Sequence, residues 1–277
     1  MSNVLRAPKT AWPTVVLAAC CVLVTTAGVG GVIAGAVSPI VGGIMVFVAA
    51  FAAFTPMHDA SHRSVSRRRW LNEAVGRACS AVLLSPYVAF RYVHLEHHKH
   101  TNHPEHDPDF YSGAGPTPLL PLRWLTQDLH YYVVIIRRWT QRPLAERVEL
   151  VITVALIVGA LSALVATGHG LTLLLVWLVP VRLAIAALAL SFDYLPHVPH
   201  QTLASEDRFE ATRIIIAPGL TVLFLFQNYH LIHHLYPGIP FYRYRRVYDA
   251  KREWLQERGA EVWQTPRLLE RPLVPGG

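Results

Sequence analysis

The stretch Phe90–Asp109, FRYVHLEHHKHTNHPEHDPD, carries six of the fifteen histidines in this 277-residue chain. Within it His94, His97 and His98 stand at i, i+3 and i+4, so a helix here sends all three imidazoles out from one face. The spacing recurs in NYHLIHHLYP as His230, His233 and His234, and HDASH holds an i, i+4 pair, His58 and His62. Three such clusters spread over 177 residues are most simply explained by one shared metal centre. Neutral imidazole is the commonest protein ligand for Fe, Zn and Cu. Eight histidines exceed the three or four ligands of a single zinc, so the clusters call for two metals or a large surplus of ligands. Cysteine offers no alternative. Of the three, Cys20 and Cys21 are adjacent in an apolar run, and together with Cys79 they form neither a disulfide framework nor a thiolate motif. A calcium or magnesium site, built from oxygen, would not use this many nitrogens.

The surroundings of the histidines are apolar. Hydrophobic residues make up 52 % of the chain and charged residues 16 %, with a mean hydropathy of +0.31, against about 25 % charged in soluble domains. From Ala11 to Met57 there are 47 residues without Asp, Glu, Lys or Arg, and about 20 apolar residues cross a hydrocarbon core. That run holds two spans, expected near 12–29 and 40–57, with the turn in the glycine-rich stretch between them and His58 directly after the second. A cleaved signal peptide over residues 1–30 is the rival reading, with Arg6 and Lys9 ahead of the apolar stretch. A second apolar block, broken by Thr167-Gly-His-Gly170, predicts spans near 150–167 and 171–192.

Between the blocks, Ala74–Phe90 reads as an amphipathic segment at the interface with Trp70, Tyr87 and Tyr92 as interfacial aromatics. Trp124–Arg147 reads as another surface helix, and Ile214–Phe226, interrupted by Pro218 and Gly219, as a half-buried segment and not a fifth crossing. The expected fold is thus all-α and integral to the membrane: four transmembrane helices in two hairpins with a cytoplasmic helical cap. Residues 1–11 form a cytoplasmic N-terminus and 12–277 a single catalytic domain.

Charge placement agrees with this topology. Of 25 Lys and Arg, 2 precede the first span, 12 lie between the hairpins, 10 follow the second, and only Arg182 falls inside a span. The positive-inside rule makes the basic side cytoplasmic, and every histidine cluster lies there. The net charge of +7 is then explained by topology and anionic headgroups, not by nucleic acid. A site at the mouth of a lipid-embedded bundle faces hydrocarbon, whose C–H bonds hydrolysis cannot attack; iron activates O2.

HDASH, HLEHH and HLIHH around two apolar hairpins resemble the three histidine boxes of the membrane fatty-acid desaturase superfamily, the integral-membrane non-haem di-iron oxygenases. The resemblance runs from about Pro56 to Tyr244 and implies two ferrous ions held by His58, His62, His94, His97, His98, His197, His230, His233 and His234. His197 enters through Asp193-Tyr-Leu-Pro-His197, where the acyl-CoA desaturases have asparagine at the first position. This leaves Asp193 as a direct ligand, a water-mediated one or an orienter of His197. HDASHRS, the DPD after the second box, FDYLPH and NYHLIHHLYPGIPFYRY look like the cyanobacterial-type carotenoid ring hydroxylases. The resemblance implies O2-dependent oxidation of an unactivated C–H bond in a lipophilic substrate, with carotenoid ring hydroxylation the specific reading and acyl-lipid or acyl-CoA desaturation the alternative. With no fused haem or iron–sulfur domain in the sequence, electrons are expected from ferredoxin or a small cytochrome, both usually acidic, docking on the basic face. The expected location is a bacterial cell membrane, with active site and both termini cytoplasmic.

Other polar residues have plainer readings. His200 is a structural histidine or a spare donor behind the ligands; His100, His103 and His106 are solvated loop residues; His130 and His169 are structural. Asp107 and Asp109 either accept the outer ring N–H of ligating histidines or make an ordinary Asp-Pro-Asp turn. Arg182 snorkels, pairs internally or meets a polar substrate end. A metal transporter is the competing class, but permeation paths show ionisable groups within the spans, and Arg182 is alone.

Overall fold

The computed structural model describes residues 4–264, mostly as helix. The chain opens with α1 (Trp12–Ile33) and α2 (Pro39–Ser61). Ser38 starts the second helix by accepting from the Val41 amide, and Pro39 occupies its first position, where no N–H is required. Small residues let the two helices touch. A Cβ on Gly42 would lie 2.5 Å from a Val32 methyl and 3.1 Å from the Gly28 carbonyl oxygen, so only glycine permits this approach.

Next come α3 (Arg69–Val82) and α4 (Tyr87–His100), then short helices α5 (Leu120–Leu125) and α6 (Gln127–Arg137), and the long α7 (Leu144–Ala166). The helix α8 covers Gly170–Tyr194 and includes π-helical stretches at Leu173–Leu178 and Ala189–Tyr194. α1, α2, α7 and α8 are the four helices among the described residues that are long and apolar enough to cross a membrane. Their outward side chains, such as Leu23, Ile44, Leu156 and Leu183, are exposed, a surface suited to hydrocarbon and not to water. The last part of the chain holds α9 (His230–Leu235) and α10 (Tyr244–Glu257).

The structure changes several expected boundaries, each for a local reason. α2 continues one turn past Met57 and takes His58 into the helix. The added turn is fixed by buried Asp59, whose carboxylate accepts from Thr14 Oγ1 at 2.9 Å and from the Phe241 amide at 3.2 Å. Ala74–Phe90 is not one segment. Leu84, at φ +54°, and Pro86 end one helix and start the next. Tyr87, expected at the interface, is buried on Gly76, where a Cβ would lie 2.3 Å from its ring. Trp124–Arg147 is likewise broken, at Thr126 and around a 3₁₀ turn at Trp139–Gln141, and α7 starts after Pro143, six residues earlier than expected. The all-α expectation misses one feature: β1 (Ile214–Ile216) pairs in parallel with β2 (Val262–Gln264), Ile214 opposite Val262. The β-branched triplet Ile214–Ile216 favours a strand, and the remainder of the expected Ile214–Phe226 segment contains only a single helical turn, Leu220–Leu223.

Candidate metal centre

Four parts of the chain deliver histidine to one place. The end of α2 presents His58, with His62 as its C-cap residue. α4 presents His94, His97 and His98, the turn after α8 presents His197, and α9 presents His230, His233 and His234. Phe54 stacks on the ring of His58 at 5.4 Å and Phe90 on that of His94 at 5.3 Å. These contacts fix two ring planes from the apolar side.

The nine histidines form two groups. His58, His62, His94, His98 and His233 make one; His97, His197, His230 and His234 make the other; within each, one ring nitrogen per residue lies within 4.8 Å of all the rest. The Nε2 atoms approach closely: His62–His94 at 2.7 Å, His94–His98 at 3.2 Å and His98–His233 at 2.7 Å. In the second group His197–His230 and His230–His234 are at 3.0 Å, and His97–His234 at 3.3 Å. Two nitrogens bound to one metal at about 2.0–2.1 Å stand about 2.9–3.4 Å apart, depending on the coordination angle. Four of the six edges lie in that range and the other two, at 2.7 Å, are slightly shorter, so the donor set is spaced for one ion in each group.

Electrostatics keeps the donors ready. A ligating imidazole must be neutral. Burial drives His62 and His230 down to about 3, with the nearby His97 adding to the shift. Burial first, and neighbouring rings second, push His94, His98, His197, His233 and His234 well below the usual histidine range. His97 goes the other way. Burial alone would lower it, but the carboxylates of Asp107 and Asp109 outweigh burial and raise it to about 9.

The outer ring nitrogens show how the ligands are oriented. His97 Nδ1 lies 2.8 Å from Asp107 Oδ1 and 3.5 Å from Asp109 Oδ2. A ring N–H donating to carboxylate there leaves the Nε2 lone pair available to a metal. Asp107 also accepts the amides of Asn102 at 2.7 Å and Asp109 at 2.8 Å, so it fulfils both readings of DPD, turn and partner of His97. Asp109, pushed up to about 6 by burial, accepts the Tyr131 hydroxyl at 2.6 Å and the Gln127 amide at 3.4 Å. His233 Nδ1 lies 3.0 Å from the Tyr244 hydroxyl. Among the described residues, Nδ1 of His58, His197 and His230 has no hydrogen-bond partner.

The remaining candidates are dispersed. Asp193 stands outside both groups and makes no hydrogen bond to His197 Nδ1. It lines an apolar pocket with Phe54, Met57, Phe90 and Tyr131, beneath the His58 and His94 rings. His200 is buried, 6.0 Å from the His197 ring, and a Cβ on Gly113 would lie 2.3 Å from its Nε2. His100, His103 and His106 cluster together at the surface, and His130 stacks on Tyr111 at 4.3 Å. His169 sits at the start of α8. Arg182 pairs with the Asp128 carboxylate and donates to the Leu125 carbonyl at 3.0 Å, which answers the question of where its charge goes. Sequence reasoning missed Tyr131, Gln127, Tyr244 and Thr14, whose partners lie up to 45 residues away along the chain. Asp59 carried a signal, being an acid next to a box histidine.

The chain is similar to known proteins over most of its length. The family model described as Fatty acid desaturase matches residues 31–266. An sn-1 oleoyl-lipid 12-desaturase of Anabaena variabilis is 25 % identical over 244 residues, 76 % of this chain and 69 % of that protein. The enzyme of the same name from Synechocystis sp. is 26 % identical over 73 % of this chain and 64 % of its own length. A beta-carotene ketolase of Paracoccus sp. is 30 % identical over 197 residues, 69 % of this chain and 71 % of that protein. The alignments thus span about two thirds of each relative. The span matched by the family model includes all nine histidines, and the chain belongs to the fatty acid desaturase family of oxidoreductase enzymes.

Proposed function

We propose that this membrane enzyme uses O2 and two irons to oxidise an unactivated C–H bond of a lipid, with carotenoid ring hydroxylation as the specific reaction. The observation that carries the reading is the division of nine histidine ring-nitrogen donors into two groups with edges near those of a metal site. His58, His62, His94, His98 and His233 would hold one iron, and His97, His197, His230 and His234 the other. Imidazole-only donors without thiolate suit iron. The bound pair would supply O2 activation, the chemistry no side chain provides. The balance is RH + O2 + 2 e− + 2 H+ → ROH + H2O, so each turnover draws two electrons from a donor.

The chain's own residues do the rest. Asp107 holds the His97 proton at Nδ1 and so keeps Nε2 for metal. Phe54 and Phe90 separate the histidine rings from the pocket lined by Met57, Leu83, Ile185, Leu188 and Ala189, which would admit an apolar group and exclude water. Asp193 acts at that pocket wall. In this reading the four spans form two hairpins of a single domain, residues 12–277. The charge asymmetry puts the histidine cap and both termini in the cytoplasm, where an acidic donor, a ferredoxin or small cytochrome, meets the basic face.

The carotenoid assignment is supported by the 30 % identity to a beta-carotene ketolase. The desaturases align over more of the chain, which favours acyl-lipid desaturation as the second reading. Expression in a carotene-producing host and in a plain host, with pigment and fatty-acid profiling of both, separates them. Hydroxylated carotenoids are expected; unchanged pigments with newly unsaturated acyl chains would give the function to the second reading.

A further inference from the structure

The helix α6 presents three faces. Gln127, Tyr131 and Ile135 point inward, Gln127 and Tyr131 onto the apolar pocket. Leu129, Val133 and Ile136, at i, i+4 and i+7, are exposed. His130, Val134 and Arg137 line a crevice of ≈ 430 Å³ with Arg123, Arg138 and Asp107. The crevice is strongly positive. Among the described residues, Arg123, Arg137 and Arg138 make no ion pair, whereas every other arginine of α3, α4, α7 and α8 apart from Arg69 and Arg147 has an acidic partner. Two acids face them, Glu105 at the exposed rim and Asp107 at the inner wall, and the Asp107 carboxylate is already taken by three N–H groups. Burial lowers the pKa of His130, and the charges of Arg137 and Arg123 lower it further, so their fields converge inside the crevice. Arg123 lies 4.6 Å over the Tyr111 ring, which braces its guanidinium.

Position gives the crevice its meaning. Asp107 is one hydrogen bond from His97, at 2.8 Å. A second depression also reaches the histidines, touching His197, but its charges are mixed: Glu210 and Glu261 against Arg213. Of the two, only the α6 crevice combines a short covalent and hydrogen-bonded path to the histidine groups with an uncompensated positive wall.

We propose that the crevice walled by Arg123, Arg137 and Arg138 is the docking site of an acidic one-electron carrier protein, with Asp107 and His97 as the entry to the metal groups. The proposal rests on the oxidase reading above, which requires two electrons per turnover. Each docking would deliver one electron, the carrier being oxidised by one and the irons held by the two histidine groups reduced by one, and two visits would complete the pair while water supplies the protons. Arginine forks match carboxylates in pairs, and a positive wall accelerates encounter with an acidic partner in a salt-dependent manner.

The test uses the full chain, iron-loaded, in nanodiscs of neutral phosphatidylcholine, with a reduced plant-type [2Fe–2S] ferredoxin as probe. Arg137→Glu/Arg138→Glu alters the crevice, and Arg246→Glu/Arg252→Glu, at two exposed positions of α10, makes the same change in net charge away from it. Ferredoxin binding, read by fluorescence anisotropy without turnover, is expected to weaken about tenfold or more in the crevice variant and to lose most of its salt dependence. Iron content and single turnover after reduction by dithionite and methyl viologen should stay at the wild-type level. Equal ferredoxin affinity in wild type and the crevice variant overturns the proposal, as does an effect no larger than that of Arg246→Glu/Arg252→Glu. An effect confined to discs containing anionic lipid also overturns it and assigns the arginines to headgroups. Because binding is read apart from turnover, a wild-type protein that binds ferredoxin through these arginines but oxidises no lipid would fail the oxidase reading alone.

Discussion

Asp107→Asn tests the metal centre at its most constrained point. The carboxylate takes three N–H groups: His97 Nδ1 and the Asp109 amide on Oδ1, and the Asn102 amide on Oδ2. An asparagine has one acceptor and one donor at these two positions. With its oxygen towards His97 and Asp109, its NH2 meets the Asn102 N–H; flipped, it meets two donors instead of one. At least one buried donor is therefore left without an acceptor, and the charged partner of the His97 ring is lost in either case. A hydrogen bond to a charged group contributes about 1.5–3 kcal/mol, which converts to about 10- to 150-fold in affinity. Loss of such partners behind a ligand typically costs about 10–100-fold in metal binding. The effect should be confined to the group of His97, His197, His230 and His234, since Asp107 touches no other ligand. In detergent-solubilised protein dialysed against a graded chelator series, iron content should step from about two per chain to about one at a chelator concentration at least tenfold below that for wild type, with the helical circular-dichroism signal retained. If the variant kept both irons up to the wild-type chelator concentration, the assignment of Asp107 as the orienter of His97 would be wrong.

Three further outcomes follow from the packing and the charges. Thr14→Val removes the hydroxyl that donates to buried Asp59; thermal unfolding should show a loss of about 1–3 kcal/mol, and an unchanged midpoint would deny that contact a role. Gly76→Ala forces a Cβ to within 2.3 Å of the Tyr87 ring, for a cost of about 1–3 kcal/mol by the same measurement; a neutral result would mean that α3 and α4 separate freely. The metal-free protein should lose stability as the pH falls. His62 and His230 have folded values near 3, and the unfolded chain binds their protons near pH 6.5. Between those limits the unfolded state holds more protons, so stability is present above about pH 6.5 and drains away towards pH 3. Chelator-treated protein monitored by thermal unfolding from pH 6.5 to pH 4, below the range in which raised His97 acts with the opposite sign, should show this decline, and bound iron should postpone it; a flat profile would contradict the burial of these rings.

The histidines are legible in the sequence because helical geometry turns spacing into direction. The division between the two groups follows the same geometry. Residues at i, i+4 project nearly along one line, and His58/His62, His94/His98 and His230/His234 each stay within one group. The i+3 residue swings to the opposite side of that line, so His97 leaves His94 and His233 leaves His230. The four long apolar helices were legible from composition alone, while their ends were not. A helix continues past its apolar run when a local group holds it, as Asp59 does for the last turn of α2 and Pro143 does at the start of α7. The β1–β2 pair joins residues 48 apart, and periodicity within three residues gives no hint of so distant a partner. Arg182, ambiguous in the sequence, finds Asp128 only because α6 lies against α8.

The bond from the Phe241 amide to Asp59 spans 182 residues, and the group around His58 takes its fifth donor from His233. Since synthesis proceeds from the N-terminus, all four long apolar helices, the last ending at Tyr194, are made before either partner. The two histidine groups therefore close only after all four long apolar helices have been made. Until α9 emerges, the His58 group is open on one side and the His97 group has at most two of its four donors. A chain that stops short of His230 would keep all four long apolar helices yet lack His230, His233 and His234, and with them part of both histidine groups.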